Sequence, residues 1–139
     1  MSVQRRTNTV TFITTLEASQ AARVMAAVRL GIGAIGLLAP GRLAWRLFVH
    51  GQRDDDATVL LLRAGASRDL ALGLGTALAS KSGSASLRGW LLATALIDCC
   101  DALAIARNKS ASVAVRTGTA LVGGLSASTA ILIARRLRR

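Results

Sequence analysis

The chain predicts an all-α fold: a four-helix transmembrane bundle with a short interfacial helix between the first and second spans. Three observations predict it. Of 139 residues, 52% are apolar and only 18% charged, which is not the balance of an ordinary soluble domain. The apolar residues gather in four stretches, about 21–39, 57–79, 89–106 and 113–134, close to the about 20 residues that cross a hydrocarbon core of about 30 Å. The Lys and Arg residues behind the net charge of +11 lie mostly in tails and turns between those stretches. There they fix orientation and touch anionic headgroups. No aromatic residues interleave with the basic ones to form a stacking platform, so membrane lipids and not nucleic acid are the expected partners. The length fits one domain, 1–139.

The second stretch organises the others. Arg68 and Asp69 fall at its midpoint and Arg63 about a turn and a half earlier, where each unpaired ion would cost at least a few kcal/mol in lipid. Partners lie at matching depth: Arg29 in the first stretch, Asp98 and Asp101 in the third. Three guanidiniums would thus face three carboxylates in a neutral buried ion-pair network of Arg29, Arg63, Arg68, Asp69, Asp98 and Asp101, a geometry suited to bidentate pairing. Its expected role is structural, fixing helix register and closing the bundle, although buried ion pairs need not add net stability. Two functional roles compete. The acids could relay protons or hold a cation, or an arginine pair in the outer half could hold a lipid phosphate or a fatty-acid carboxylate.

Taken in order, residues 1–14 have no helical apolar period and are expected to form a mobile arm. Thr14 with Glu17 is a capping-box pattern opening the first helix, and Pro40 with Gly41 ends it. Gly31, Gly33 and Gly36 give that helix a smooth face for close backbone approach. Between the first two spans, Leu43, Trp45, Leu47 and Phe48 can cover one side of the interfacial helix, with Arg42 and Arg46 pointing elsewhere. Asp54, Asp55 and Asp56 sit where the positive end of the next helix favours them. A Ser- and Gly-rich turn, SKSGSASLRG, leads to the third span, in which Thr94 shares a face with Asp98 and can hydrogen-bond within the bundle. In the fourth span Ala120, Gly124 and Ser128 repeat every four residues as a helix-packing stripe. Arg116 lies close enough to the helix end to reach headgroups.

Chemistry is sparse. His50 is the only histidine and has no second ligand nearby, so no metal site is expected, and no cofactor. Cys99 and Cys100 are adjacent within an apolar run and read as buried free thiols. There is no Ser, His and Asp constellation and no phosphate-binding glycine loop after a strand, so no catalytic residues are assigned and enzyme activity is not expected. No cleavable signal peptide is expected from the polar, Thr-rich start. Summing Lys and Arg near the span ends gives nine on the side of the termini against six on the other, which also carries the three aspartates. Both termini are therefore expected in the cytoplasm.

The run Arg63-x-Gly65-x-x-Arg68-Asp69-x-x-Leu72-Gly73, followed by a span with Asp98 and Asp101, resembles a family of small, uncharacterised four-helix membrane proteins common in actinobacteria. The likeness covers roughly 57–107 and implies a fold and a location, with no established activity. Chains of this size and type are also similar in kind to accessory subunits of actinobacterial envelope assemblies, including lipid importers of the mycobacterial MCE type. The expected function is a non-catalytic accessory or scaffolding subunit of a larger cytoplasmic-membrane complex, with lipid transport as one such setting. Small-residue faces on the first and fourth helices, including Gly31, Gly33, Ala120, Gly124 and Ser128, would dock partner helices. The alternative is a self-contained lipid-binding or proton-coupled transporter built on the same ions.

Overall fold

A computed structural model describes residues 2–40, 56–109 and 112–137. Four helices make up the described chain: α1 (Ser2–Leu38), α2 (Asp56–Ser82), α3 (Ser84–Arg107) and α4 (Val113–Arg136). The expected interfacial helix falls on 41–55, outside the described residues.

α1 begins at Ser2 rather than at Thr14, so residues 2–14 are helical. No Gly or Pro occurs before Gly31 to interrupt it, and the Thr and Val residues there lower helix propensity only slightly. Thr14 and Glu17 consequently lie inside the helix, not at its cap. Its end is as expected: the Ala39 amide still donates to the Ile35 carbonyl at 2.9 Å, and Pro40, lacking an N–H, cannot continue the ladder. The Ser- and Gly-rich turn shrinks to Gly83, whose φ of 114° is the left-handed conformation that glycine tolerates. Ser80 and Ser82 stay helical because their hydroxyls donate back to the carbonyls of Ala77 (2.7 Å) and Leu78 (3.2 Å). α4 starts where the sequence places it. Ser112 caps it, accepting from the Val115 amide at 3.3 Å.

The helices pack in a ring in chain order, with α1 most extensively against α2 and α3 against α4. Reciprocal glycines close the first pair. A Cβ on Gly33 would fall 2.7 Å from the Ala66 carbonyl oxygen, and one on Gly73 would fall 3.0 Å from that of Ala26. Backbones this close need glycine, and the matches run antiparallel. Gly123 does the same for the second pair, where a Cβ would meet the Asp98 carbonyl oxygen at 3.1 Å.

Buried positions on α1 (Ala18, Ala22, Ala26, Arg29, Gly33) and α3 (Leu87, Leu91, Thr94, Ala95, Asp98) follow helical spacing. What they exclude is as telling. Val24, Val28, Ile32 and Ile35 on α1 and Leu121, Val122, Leu125 and Leu132 on α4 face outward, while Ala and Gly face in. Small residues inside and large apolar ones outside reverse the distribution of a water-soluble bundle. Glu17–Leu38, α3 and α4 are each long and apolar enough to cross a membrane, which points to a multi-pass membrane protein. α2 is not among them, because Arg63, Arg68 and Asp69 interrupt its apolar run. Four spans were expected, and three satisfy length and composition.

The apolar core is concentrated at one end of the ring. Ala18, Ala22, Ala79, Leu87, Leu91, Ala127, Ala130 and Ala134 pack there. Toward the other end α3 buries nothing beyond Asp98, and α4 nothing before Ala127.

Candidate functional site

Where the apolar core stops, the charges begin. Arg29 follows Ala22 and Ala26 on the inward stripe of α1, and so points its guanidinium into the ring, where the residue is 7% exposed. It reaches all three other helices. Nη1 donates to Asp69 Oδ1 on α2 at 2.7 Å, while Nη2 donates to Asp98 Oδ2 on α3 and to Ser126 Oγ on α4 at 3.0 Å. Asp98 is 6% exposed. One planar fork with fixed donors thus ties four helices at one level, a task that a point-charge lysine would perform poorly.

A second arginine extends the network outward. Arg68 Nη1 donates to Asp101 Oδ2, and Nη2 lies 3.8 Å from Asp69 Oδ1. Their side chains are 36% and 40% exposed, so this arm opens toward the loosely packed end of the ring.

Five of the six residues expected in the network are brought together and one is not. Arg63 is exposed and makes no ion pair among the described residues, because it lies on the outward side of α2. The expected neutrality therefore fails: two guanidiniums face three carboxylates. Thr94 is buried at 1% exposure as its helical position demands, yet its hydroxyl has no hydrogen-bond partner among the described residues. Sequence reasoning missed Ser126, whose only signal is its spacing of four from Val122 and Ala130 on a helix already bearing small residues.

Of Gly31, Gly33, Ala120, Gly124 and Ser128, expected to form docking faces, only Gly33 is used for close approach within the bundle. Gly33 packs inward on α2 as expected of a close-approach glycine, but a Cβ on Gly31 would meet nothing within 4 Å. On α4 the stripe that packs within the bundle is Gly123, Ala127, Ala130 and Ala134 rather than Ala120, Gly124 and Ser128. Gly124 is open and Ser128 exposed. Both stripes hold small residues, so composition alone cannot choose between neighbouring faces. Cys99 and Cys100 are free as expected but exposed, not buried, since Asp98 takes the inward position on that turn.

No group of three or more His, Cys, Asp or Glu side chains is arranged to hold a metal among the described residues. Chemically the network links all four helices at one level and so can lock their register. Comparison with family models, curated proteins and solved structures finds no match for this chain.

Proposed function

We propose that this chain is a non-catalytic accessory or scaffolding subunit of a larger assembly in the cytoplasmic membrane. All four helices cross the bilayer in this reading, α2 included, because Arg68 and Asp69 are ion-paired to residues of α3 and α1 and only Arg63 must reach an interface. Both termini are cytoplasmic, on the side richer in Lys and Arg. The actinobacterial family likeness read from Arg63 to Asp101 agrees with that setting, and lipid importers of the MCE type are the kind of assembly it would serve.

The observation that carries the reading is the outward opening of Gly31 on α1 and Gly124 on α4, neighbouring helices of the ring. In lipid, helix association depends on small residues that admit close backbone approach, and these two are not used within the bundle. The ion network then keeps the ring rigid enough to present them. Affinity capture of the full chain from native membranes, with mass spectrometry, tests this. Larger membrane subunits should be recovered, and Gly31→Leu with Gly124→Leu should lose them while the abundance of the chain is unchanged. Recovery of the chain alone, as a monodisperse oligomer, would defeat the proposal.

One observation favours a second reading, a self-contained proton-coupled or lipid-binding transporter. The network carries one carboxylate more than its arginines neutralise, and its Arg68–Asp101 arm is half-exposed. In that case Asp101→Asn abolishes a transport activity in vesicles while leaving the fold intact.

A further inference from the structure

The loosely packed end of the ring holds an open groove of about 350 Å³ lined by Ala106 of α3 and by Arg116, Thr117, Ala120 and Leu121 of α4. It is shallow and mostly apolar, with Arg116 and Thr117 at one edge. Arg116 is the one charged residue lining it, a permanent cation for which no acidic partner is present among the described residues. Arg107 and Lys109 follow Ala106 into the adjoining turn. Among the described residues at this end the acids are Asp101, which is engaged by Arg68, and Asp56, which begins α2, diagonal to α4 across the ring; Asp54 and Asp55 lie outside the described residues. Depth agrees with the charge. Arg116 stands about eight residues, or about 12 Å, from the middle of α4, just inside the about 15 Å half-thickness of a hydrocarbon core. A guanidinium rooted there reaches the phosphate layer while its stem stays in the groove.

We propose that this groove is a site for an anionic phospholipid, its phosphate held by the Arg116 guanidinium and the Thr117 hydroxyl and an acyl chain laid along Ala106, Ala120 and Leu121. The bidentate match of guanidinium to phosphate supplies the anchor, and Arg107 and Lys109 favour a headgroup of net negative charge over a zwitterionic one. The inference rests on the membrane-spanning reading but not on the docking role.

Native mass spectrometry of the delipidated full chain in mild detergent tests it, with dioleoyl phosphatidylglycerol and dioleoyl phosphatidylcholine titrated separately. The first phosphatidylglycerol should bind about fivefold more tightly than the first phosphatidylcholine. Arg116→Gln should erase that preference, and Ala120→Phe, which fills the groove, should weaken both lipids. Arg135→Gln, at the opposite end of α4, should change nothing. Equal binding of the two lipids by the unaltered chain, an undiminished preference in Arg116→Gln, or an equal loss in Arg135→Gln would overturn the site. Competition by millimolar inorganic phosphate would also overturn it, by making free phosphate the occupant. Carbonate-resistant membrane retention of the same variants separates failure of the site from failure of the membrane reading.

Discussion

Arg29 and Asp98 stand 69 residues apart on diagonal helices, yet a guanidinium nitrogen of one donates to a carboxylate oxygen of the other inside the ring. The same guanidinium serves Asp69 and Ser126, so the pair is the centre of a four-helix junction and not an isolated bridge. Breaking a buried pair from one side strands the other charge, which is where the energy of such a network is felt.

Asp98→Asn leaves Arg29 paired with Asp69 but removes its most buried acceptor, and is expected to lower stability by about 1–3 kcal/mol. Arg29→Met should cost more, since it leaves both Asp69 and Asp98 without their principal donor. Arg63→Gln, on the exposed side of α2, should stay within about 0.5 kcal/mol of the parent. Unfolding in detergent followed by helical circular dichroism ranks the three. A loss at Arg63 as large as that at Asp98 would contradict the division of the arginines drawn here.

Two glycines on one helix should respond with opposite sign. At Gly31 a Cβ meets nothing within 4 Å, so Gly31→Ala gains helix propensity and stabilises by up to about 1 kcal/mol. At Gly33 the same methyl lands 2.7 Å from a carbonyl oxygen of α2, and backbone cannot give way as a side chain would. Gly33→Ala should destabilise by about 1–3 kcal/mol. The melting temperatures of the two variants in one detergent decide the matter.

These residues also mark how far the sequence could be read. The all-α bundle, three apolar helices long enough to cross a membrane, and the convergence of Arg29, Arg68, Asp69, Asp98 and Asp101 are legible, because an apolar run long enough to cross lipid allows few fates for an ion inside it. Which side of each helix faces inward is not. Apolar residues surround these helices, so hydrophobic period carries little signal, and nothing in it sets Arg63 apart from Arg68, five residues on and on another face. Nor does the sequence single out Gly123, which packs on α3, from Gly124, one residue on and about 100° around the helix. Helix starts failed for a related reason: with no Gly or Pro before Gly31, the polar Thr-rich segment had nothing to stop it being helical.

Gly75 offers a spectroscopic test of the α2–α3 contact. A Cβ there would overlap Cζ3 of Trp90, so the indole rests directly on the glycine backbone. In a Trp45→Phe background Trp90 is the sole tryptophan. Gly75→Ala should then push the ring off α2 and increase its quenching by acrylamide, while Gly89→Ala, where a Cβ meets nothing, should leave quenching unchanged.

The cysteines discriminate between lipid and water around the bundle. Cys99 and Cys100 face outward, about four residues past the middle of α3 and so about 6 Å from it, well within the half-thickness of a bilayer. Maleimides react with thiolates, which do not form in hydrocarbon. In intact membranes both thiols should resist a charged, impermeant maleimide that modifies both in dodecyl sulfate, giving two adducts by mass. Placed singly in a Cys-free background, Ser112→Cys should label from outside sealed cells, and Ser86→Cys only after permeabilisation, if the termini are cytoplasmic. Rapid modification of Cys99 and Cys100 in intact membranes would put the outer face of α3 in water, and the outward Val, Ile and Leu residues of α1 and α4 would then need a protein partner instead of lipid to cover them.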